Sequence, residues 1–130
     1  MPALDQRVRE LAQAPNFATL SVLLQSGRPM THVMWVDADE DHVLINTEAH
    51  RAKFRAVERD PRVTVTIWQR DDPYTYAEVR GQVVEAVRGP DARAHIDSLS
   101  RKYRGKDYDD AAITSERVIL RIAPETVRFH

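Results

Sequence analysis

His50-Arg51-Ala52-Lys53-Phe54-Arg55-Ala56-Val57-Glu58-Arg59-Asp60-Pro61-Arg62-Val63 is the stretch on which the reading of this chain turns. It follows the apolar run Val43-Leu44-Ile45 and the polar pair Asn46-Thr47. It reads as a short helix set between strands, over about residues 50–59. Asp60-Pro61 ends it, because the residue before a proline is pushed out of the helical region. The basic residues Arg51 and Lys53 stand where a helix begins. Isolated helices favour acidic residues there, since the N-terminal end carries partial positive charge. A bound anion explains the reversal, because free helix N–H groups and cationic side chains can share a phosphate. A solvated helix end, with the charges paired to Glu48 or Glu58, explains it equally well. Ala52 between the two cations leaves room for a ligand to approach the backbone. The residues alone leave both readings open.

Toward the N-terminus, Leu4, Val8 and Leu11 recur at helical spacing, and Pro15 closes that segment. Residues 17–24 are β-rich, and Ser26-Gly27-Arg28-Pro29 is a turn signal. Residues 31–36 and 42–47 read as two further strands around a polar turn at 37–41, and the three together predict an antiparallel meander. After the central helix, residues 62–69 alternate as a strand, with Val63, Val65 and Ile67 on one face. Residues 74–87 read as a long strand whose alternation degrades at Gly81, which predicts a bulge or bend there. A helix over 91–103, a polar loop, and two strands at 117–122 and 126–129 complete the chain.

The order is helix, three strands, helix, two strands, helix, two strands. Long sequential strands with few crossover helices predict a mainly β fold: an antiparallel barrel with helices at its edges. A doubly wound sheet would need strand and helix to alternate throughout. With 130 residues, the chain is expected to form a single domain over 1–130.

Composition narrows the function. Hydrophobic residues make up 42% and charged residues 30%, which is globular rather than disordered. The formal net charge of −1 supplies no global field for nucleic acid or an anionic membrane, so any anion site must be local. The chain has no cysteine, which excludes disulfides, thiolate catalysis and cysteine–zinc sites. No signal-peptide pattern and no bilayer-length apolar run occur, so cytoplasmic residence without membrane insertion is the expectation. The five histidines show no metal-ligand spacing. No nucleophile-elbow, Walker or dinucleotide glycine motif is present. If the chain is an enzyme, a cofactor carries the chemistry.

Other candidates are aromatic or polar. Within Thr31-His32-Val33-Met34-Trp35-Val36, Met34 and Trp35 suit either a flat aromatic ligand or barrel packing. Asn46 and Thr47 could meet ligand polar groups or cap the coming helix. Trp68, Tyr74 and Tyr76 suit a subunit interface, a ring-binding cleft or core filling. Arg101-Lys102-Tyr103-Arg104-Gly105-Lys106 reads as a basic helix end, which could also close over an anionic ligand tail. As a nucleic-acid patch it is weakly supported.

Taken in order, several pieces resemble one family. They are Phe17-Ala18-Thr19-Leu20, Gly27-Arg28-Pro29, Val33-Met34-Trp35-Val36, Arg51-Ala52-Lys53, Asp60-Pro61-Arg62-Val63, Tyr76-Ala77-Glu78-Val79-Arg80-Gly81, Arg101-Lys102-Tyr103 and Arg117-Val118-Ile119-Leu120. The chain resembles the split-barrel flavin and deazaflavin proteins related to pyridoxamine 5′-phosphate oxidase. Within that group it is most similar to the branch that uses the deazaflavin coenzyme F420. The resemblance implies a six-stranded antiparallel split β-barrel, a homodimer with cofactor sites at its interface, and hydride transfer between reduced F420 and a small organic acceptor. It implies that Arg51 and Lys53 hold the cofactor phosphate beside the Ala52 backbone. The strand carrying Thr31, Val33, Met34 and Trp35 would lie along the ring, and Asn46 and Thr47 would meet the ribityl region. Trp68, Tyr74 and Tyr76 would approach from the partner subunit. It assigns no catalytic side chain and no metal. FMN is the alternative cofactor, since FMN-using relatives share the barrel; the Arg-x-Lys pattern at 51–53 fits the F420 branch better than the Ser-x-Lys pattern common in FMN oxidases. A non-catalytic flavin- or tetrapyrrole-binding protein is the remaining alternative.

Overall fold

In a computed structural model, residues 4–130 are described. Asp5 caps helix α1 (Gln6–Gln13) by accepting the Arg7 N–H at 2.8 Å. The strands follow as β1 (Phe17–Leu23), β2 (Pro29–Trp35), β3 (Asp37–Ala38) and β4 (Val43–Glu48). Helix α2 (Ala52–Arg59) leads to β5 (Arg62–Gln69) and β6 (Asp72–Arg88). Helix α3 (Pro90–Arg104) and a 3₁₀ turn (Asp110–Ala112) precede the last strand, β7 (Arg117–Phe129).

All strands belong to one antiparallel sheet of seven, in the order β2-β1-β5-β6-β7-β4-β3. The two edge strands, β2 and β3, are consecutive in the chain and separated only by Val36. The sheet therefore curls until its edges meet in one bent segment. This is a split barrel: β2 pairs with β1, β3 pairs with β4, and no ladder joins β2 to β4.

The expected three-stranded meander does not form. β1 and β2 form the predicted hairpin, but the chain then turns away at Val36 and joins the far edge of the sheet. A residue that leaves a ladder must find other hydrogen-bond partners. Val36, fully buried, finds them on α3: the Tyr103 hydroxyl accepts its N–H at 3.2 Å, and Lys102 Nζ donates to its carbonyl at 2.5 Å. The strand count is seven rather than the six that the resemblance implies, and Asp37–Ala38, expected within a polar turn, pairs with β4 as β3. In compensation, the two expected C-terminal strands are one. Ala123-Pro124-Glu125 runs through as β7, and Pro124 lies opposite Gly81 at a register shift of β6. The predicted bulge is at this point. A Cβ on Gly81 would stand 2.1 Å from the Ala123 carbonyl oxygen, so the two backbones meet only because residue 81 is glycine.

The barrel interior follows the period-two alternation. Ala18, Leu20 and Val22 of β1 face it with Val63, Val65 and Ile67 of β5, and Phe54 and Val57 of α2 join the same core. β4 is buried along both faces. Val43 and Ile45 enter the barrel core, whereas Leu44 joins Ala92 of α3 and Ile119 of β7 on the other side. That second face carries Asn46 and Glu48 in alternation with the interior residues.

Candidate functional site

Where β2 and β4 fail to pair, the seam opens into a cleft of about 290 Å³. Val33, Met34 and Trp35 of β2 and Phe17 of β1 form its apolar wall. Asn46 of β4, Arg117 of β7, and Arg104 and Tyr108 from the end of α3 and the loop beyond supply its polar groups. Among the described residues, no acidic side chain lines it. A larger hollow of about 640 Å³ beside α1 is bordered by Arg7, Arg70, Glu10 and Asp71, so its charges balance locally.

Trp35 is the centre of the aromatic wall. Its ring stacks on Tyr103 at 5.1 Å between centroids and 5° between planes, and Tyr108 meets it edge-on at 6.2 Å. The Arg104 guanidinium sits 5.0 Å from its centroid, within cation–π range. The register places Trp35 beside Phe17, Phe17 beside Trp68, and Trp68 beside Tyr76, so an aromatic row crosses four strands on one face. The row ends where Tyr76 stacks on His130 at 4.5 Å. Trp68 and Tyr76 thus continue away from the cleft, and Tyr74, near the start of β6, is 85% exposed. Thr31 lies farther along β2, its hydroxyl 2.7 Å from that of Ser21. Thr47 is buried on the barrel side of β4.

Behind the cleft lies a polar layer between β4, β7 and α3. Arg117 is buried; its Nε–H donates to Asn46 Oδ1 at 2.8 Å and its Nη1 to Glu48 Oε1 at 3.1 Å. Burial pushes the Glu48 carboxyl up, but donation from the backbone and hydroxyl groups of Thr114 and Ser115 outweighs it and holds the pKa below the ordinary value. Burial lowers the Arg117 pKa, opposed by Tyr108 and Glu48. Nη2 of Arg117 has no hydrogen-bond partner among the described residues.

Beside this layer stand the cations of α2. Arg51 is the N-cap residue, in extended backbone and without a capping side-chain bond; the expected helix start at residue 50 is shifted to Ala52. The amides of Ala52 and Lys53 donate to no group among the described residues. Lys53 is half-buried. Its pKa is lowered first by burial and then by repulsion from Arg51 and Arg117. The pairing expected for a solvated helix end does not form. Glu48 is held by Arg117 and His50, and Glu58 lies 3.9 Å from Arg88. Among the described residues, Arg51 and Lys53 have no carboxylate at ion-pair distance, whereas Arg62, Arg80, Arg93 and Arg121 each do.

These observations fall on a known family. A family described as pyridoxamine 5′-phosphate oxidase matches residues 4–130. The chain belongs to that family. A solved structure of an F420 reductase superposes with a TM-score of 0.83 at 26% identity, over 96% of this chain and 98% of that one. The conserved hypothetical protein Rv2991 from Mycobacterium tuberculosis superposes with a TM-score of 0.73 at 24% identity, over 97% of this chain and 84% of that one. General Stress Protein 26 from Bacillus anthracis does so with a TM-score of 0.67 at 18% identity, over 95% of this chain and 91% of that one. The latter two show the shared fold. No curated protein matches the chain. Among the described residues no helix is long and apolar enough to cross a membrane.

Of the residues singled out from sequence, Val33, Met34, Trp35 and Asn46 line the cleft within this chain, and Arg51 and Lys53 lie outside its lining, close enough for Arg117 to repel the Lys53 ammonium. Arg117 and Tyr108 are missed as site residues, whereas Arg104, from the basic helix end at 101–106, lines the cleft. Arg117 left one signal: it is a lone cation opening the apolar run Val118-Ile119-Leu120. Lys102 and Tyr103 turn inward to hold Val36. Lys102 is therefore not available to close over a ligand.

Proposed function

We propose that this family member is an F420-dependent oxidoreductase, transferring a hydride between reduced deazaflavin and a small organic acceptor. One observation carries the reading: Arg51 and Lys53 stand unpaired at the start of α2, against a third cation, Arg117, that lines the seam cleft. Arg117 has Glu48 as its counter-charge, but Arg51 and Lys53 have no carboxylate, and a phosphate relieves their repulsion while accepting hydrogen bonds from the free amides of Ala52 and Lys53. Likeness to an F420 reductase at 26% identity supports the choice of cofactor. F420 supplies the hydride when bound. The chain's residues bind and orient: Arg51, Ala52 and Lys53 take the phosphate, Val33, Met34 and Trp35 give a flat apolar wall for the ring, and Thr31 borders the intervening chain, whereas Thr47, buried on the barrel side, takes no part. Holding two reactants in register removes a large part of a bimolecular barrier without any side-chain acid.

The same reading makes the active species a homodimer. The row Phe17, Trp68 and Tyr76 forms an outer sheet face of the aromatic kind that interfaces favour. Tyr74 at its end is free to reach a neighbour.

Fluorescence titration of the purified protein with F420 and with FMN tests the proposal. F420 binding followed by reductant-dependent turnover across a panel of quinone, unsaturated lactone and nitroaromatic acceptors is the expected result. Tight FMN binding without F420 binding would sink it, and F420 binding without turnover would leave a carrier protein.

A further inference from the structure

We propose that His95 of α3 is a positioning residue: it fixes the orientation of the Asn46 amide and, through it, the guanidinium of Arg117 in the cleft wall. That Arg117 then serves a bound anionic cofactor rests on the function proposed above; the relay itself rests on hydrogen-bond chemistry.

Two partners of the Asn46 amide have unambiguous roles. The Ala92 carbonyl can only accept, and it lies 3.0 Å from Asn46 Nδ2. Arg117 Nε–H can only donate, and it lies 2.8 Å from Asn46 Oδ1. Together they settle which end of the Asn46 amide is oxygen. The second N–H of that amide then meets His95 Nδ1 at 3.1 Å. Nδ1 must accept it, so the ring proton resides on Nε2, 3.1 Å from Asp37 Oδ2. Burial pushes the Asp37 carboxyl up, but the His95 hydrogen bond and the Ala38 backbone bond hold it below its ordinary range, so it remains an acceptor.

The chain of bonds therefore runs in one direction: Asp37 accepts from His95, His95 accepts from Asn46, and Asn46 accepts from Arg117. Every polar atom of Asn46 is engaged by the protein, and the residue is only 4% exposed. Asn46 thus acts on a ligand through Arg117 rather than by contact. Rotating its amide by half a turn would set NH₂ against the Arg117 N–H, donor against donor. His95 blocks that rotation because its Nδ1 needs a donor. The anchor of the relay is Asp37, the first residue after the Val36 bend, so the same turn that opens the cleft also aims its buried cation.

Long-range proton–nitrogen spectra of the wild-type protein test the tautomer without any substitution. A proton on Nε2 and a bare Nδ1 are expected; a proton on Nδ1 overturns the relay. The Arg117 Nε–H signal, identified by its loss in Arg117→Lys, gives a second readout. Its exchange with water should quicken on the order of tenfold in His95→Leu, and unchanged exchange overturns the proposal. The third readout is a double-mutant cycle on F420 affinity. His95→Leu should weaken binding on the order of tenfold in the wild-type background and by less than about twofold in Arg117→Lys. Equal losses in both backgrounds overturn the coupling. Should the wild-type protein bind no F420, the proposed function falls while the first two readouts still decide the relay. Should His95→Leu fail to fold, the wild-type tautomer decides it.

Discussion

Tyr103 stacks on Trp35 and, through its hydroxyl, bonds the backbone both at the Val36 bend and just before β1. The phenol accepts the Val36 N–H at 3.2 Å and donates to the Asn16 carbonyl, while the two rings lie 5.1 Å apart. One side chain thus holds the bend that divides β2 from β3, ties it to the segment before β1, and backs the aromatic wall of the cleft.

Tyr103→Phe keeps the stack and removes the hydroxyl, leaving a buried N–H and a carbonyl short of a partner. A loss of about 1–3 kcal/mol in unfolding free energy is expected, measured by urea denaturation. Tyr103→Leu should lose more, because the stacking contact goes too. Equal stability of Tyr103→Phe and wild type would show that the bend holds without the hydroxyl.

Lys53→Ala removes a half-buried cation that has no protein partner, so the fold should not suffer while anion binding does. A charged hydrogen bond contributes about 1.5–3 kcal/mol, which corresponds to a roughly ten- to hundredfold rise in the F420 dissociation constant. Arg62→Ala is the control. Arg62 is exposed and paired to Asp60 at 2.7 Å, and its loss should leave binding unchanged. A similar effect of both substitutions would point to general charge rather than a site.

Lys102 and Tyr103 give stability a pH dependence of opposite signs. Burial holds the Lys102 ammonium at about 8 against an ordinary 10.5, with Asp37 opposing it. Between those values the unfolded chain binds a proton that the folded chain does not, so stability rises with pH through this window. Burial raises the Tyr103 phenol from 10.0 to about 12, so there the folded state keeps the proton and stability falls as pH rises. Guanidinium denaturation across this range should show the rise and then the fall. Lys102→Met should flatten the rising limb, and Tyr103→Phe the falling one.

Gly81→Ala tests the bulge. The new Cβ would stand 2.1 Å from the Ala123 carbonyl oxygen, on backbone that belongs to a central ladder and cannot simply move aside. Destabilisation of about 1–3 kcal/mol or more is expected, seen as a lowered urea midpoint. Gly27→Ala is a useful contrast. Gly27 has a positive φ of 86° but open space around it, so its cost is backbone strain alone.

Most elements were legible locally. Period-two alternation gave β5 to within its observed bounds, and Asp60-Pro61 marked the end of α2. The degraded pattern at Gly81 pointed to the bulge. The bend at Val36 was illegible, because Val36 is as β-prone as its neighbours and is drawn out of the strand by Lys102 and Tyr103, more than sixty positions along the chain. Pro124 misled for the opposite reason: it reads as a strand break, yet a bulge tolerates a residue that cannot donate.

By itself, then, the sequence determined the alternating strands, the helices with their stops, and the cationic start of α2, since these depend on residues a few positions apart. Only the tertiary structure decided which edges of the sheet meet and what stands in the cleft. Asn46 joins His95 across 49 positions and Arg117 across 71. Their meeting depends on register and on the closing of the sheet, and both are set by packing of the whole barrel rather than by any local pattern.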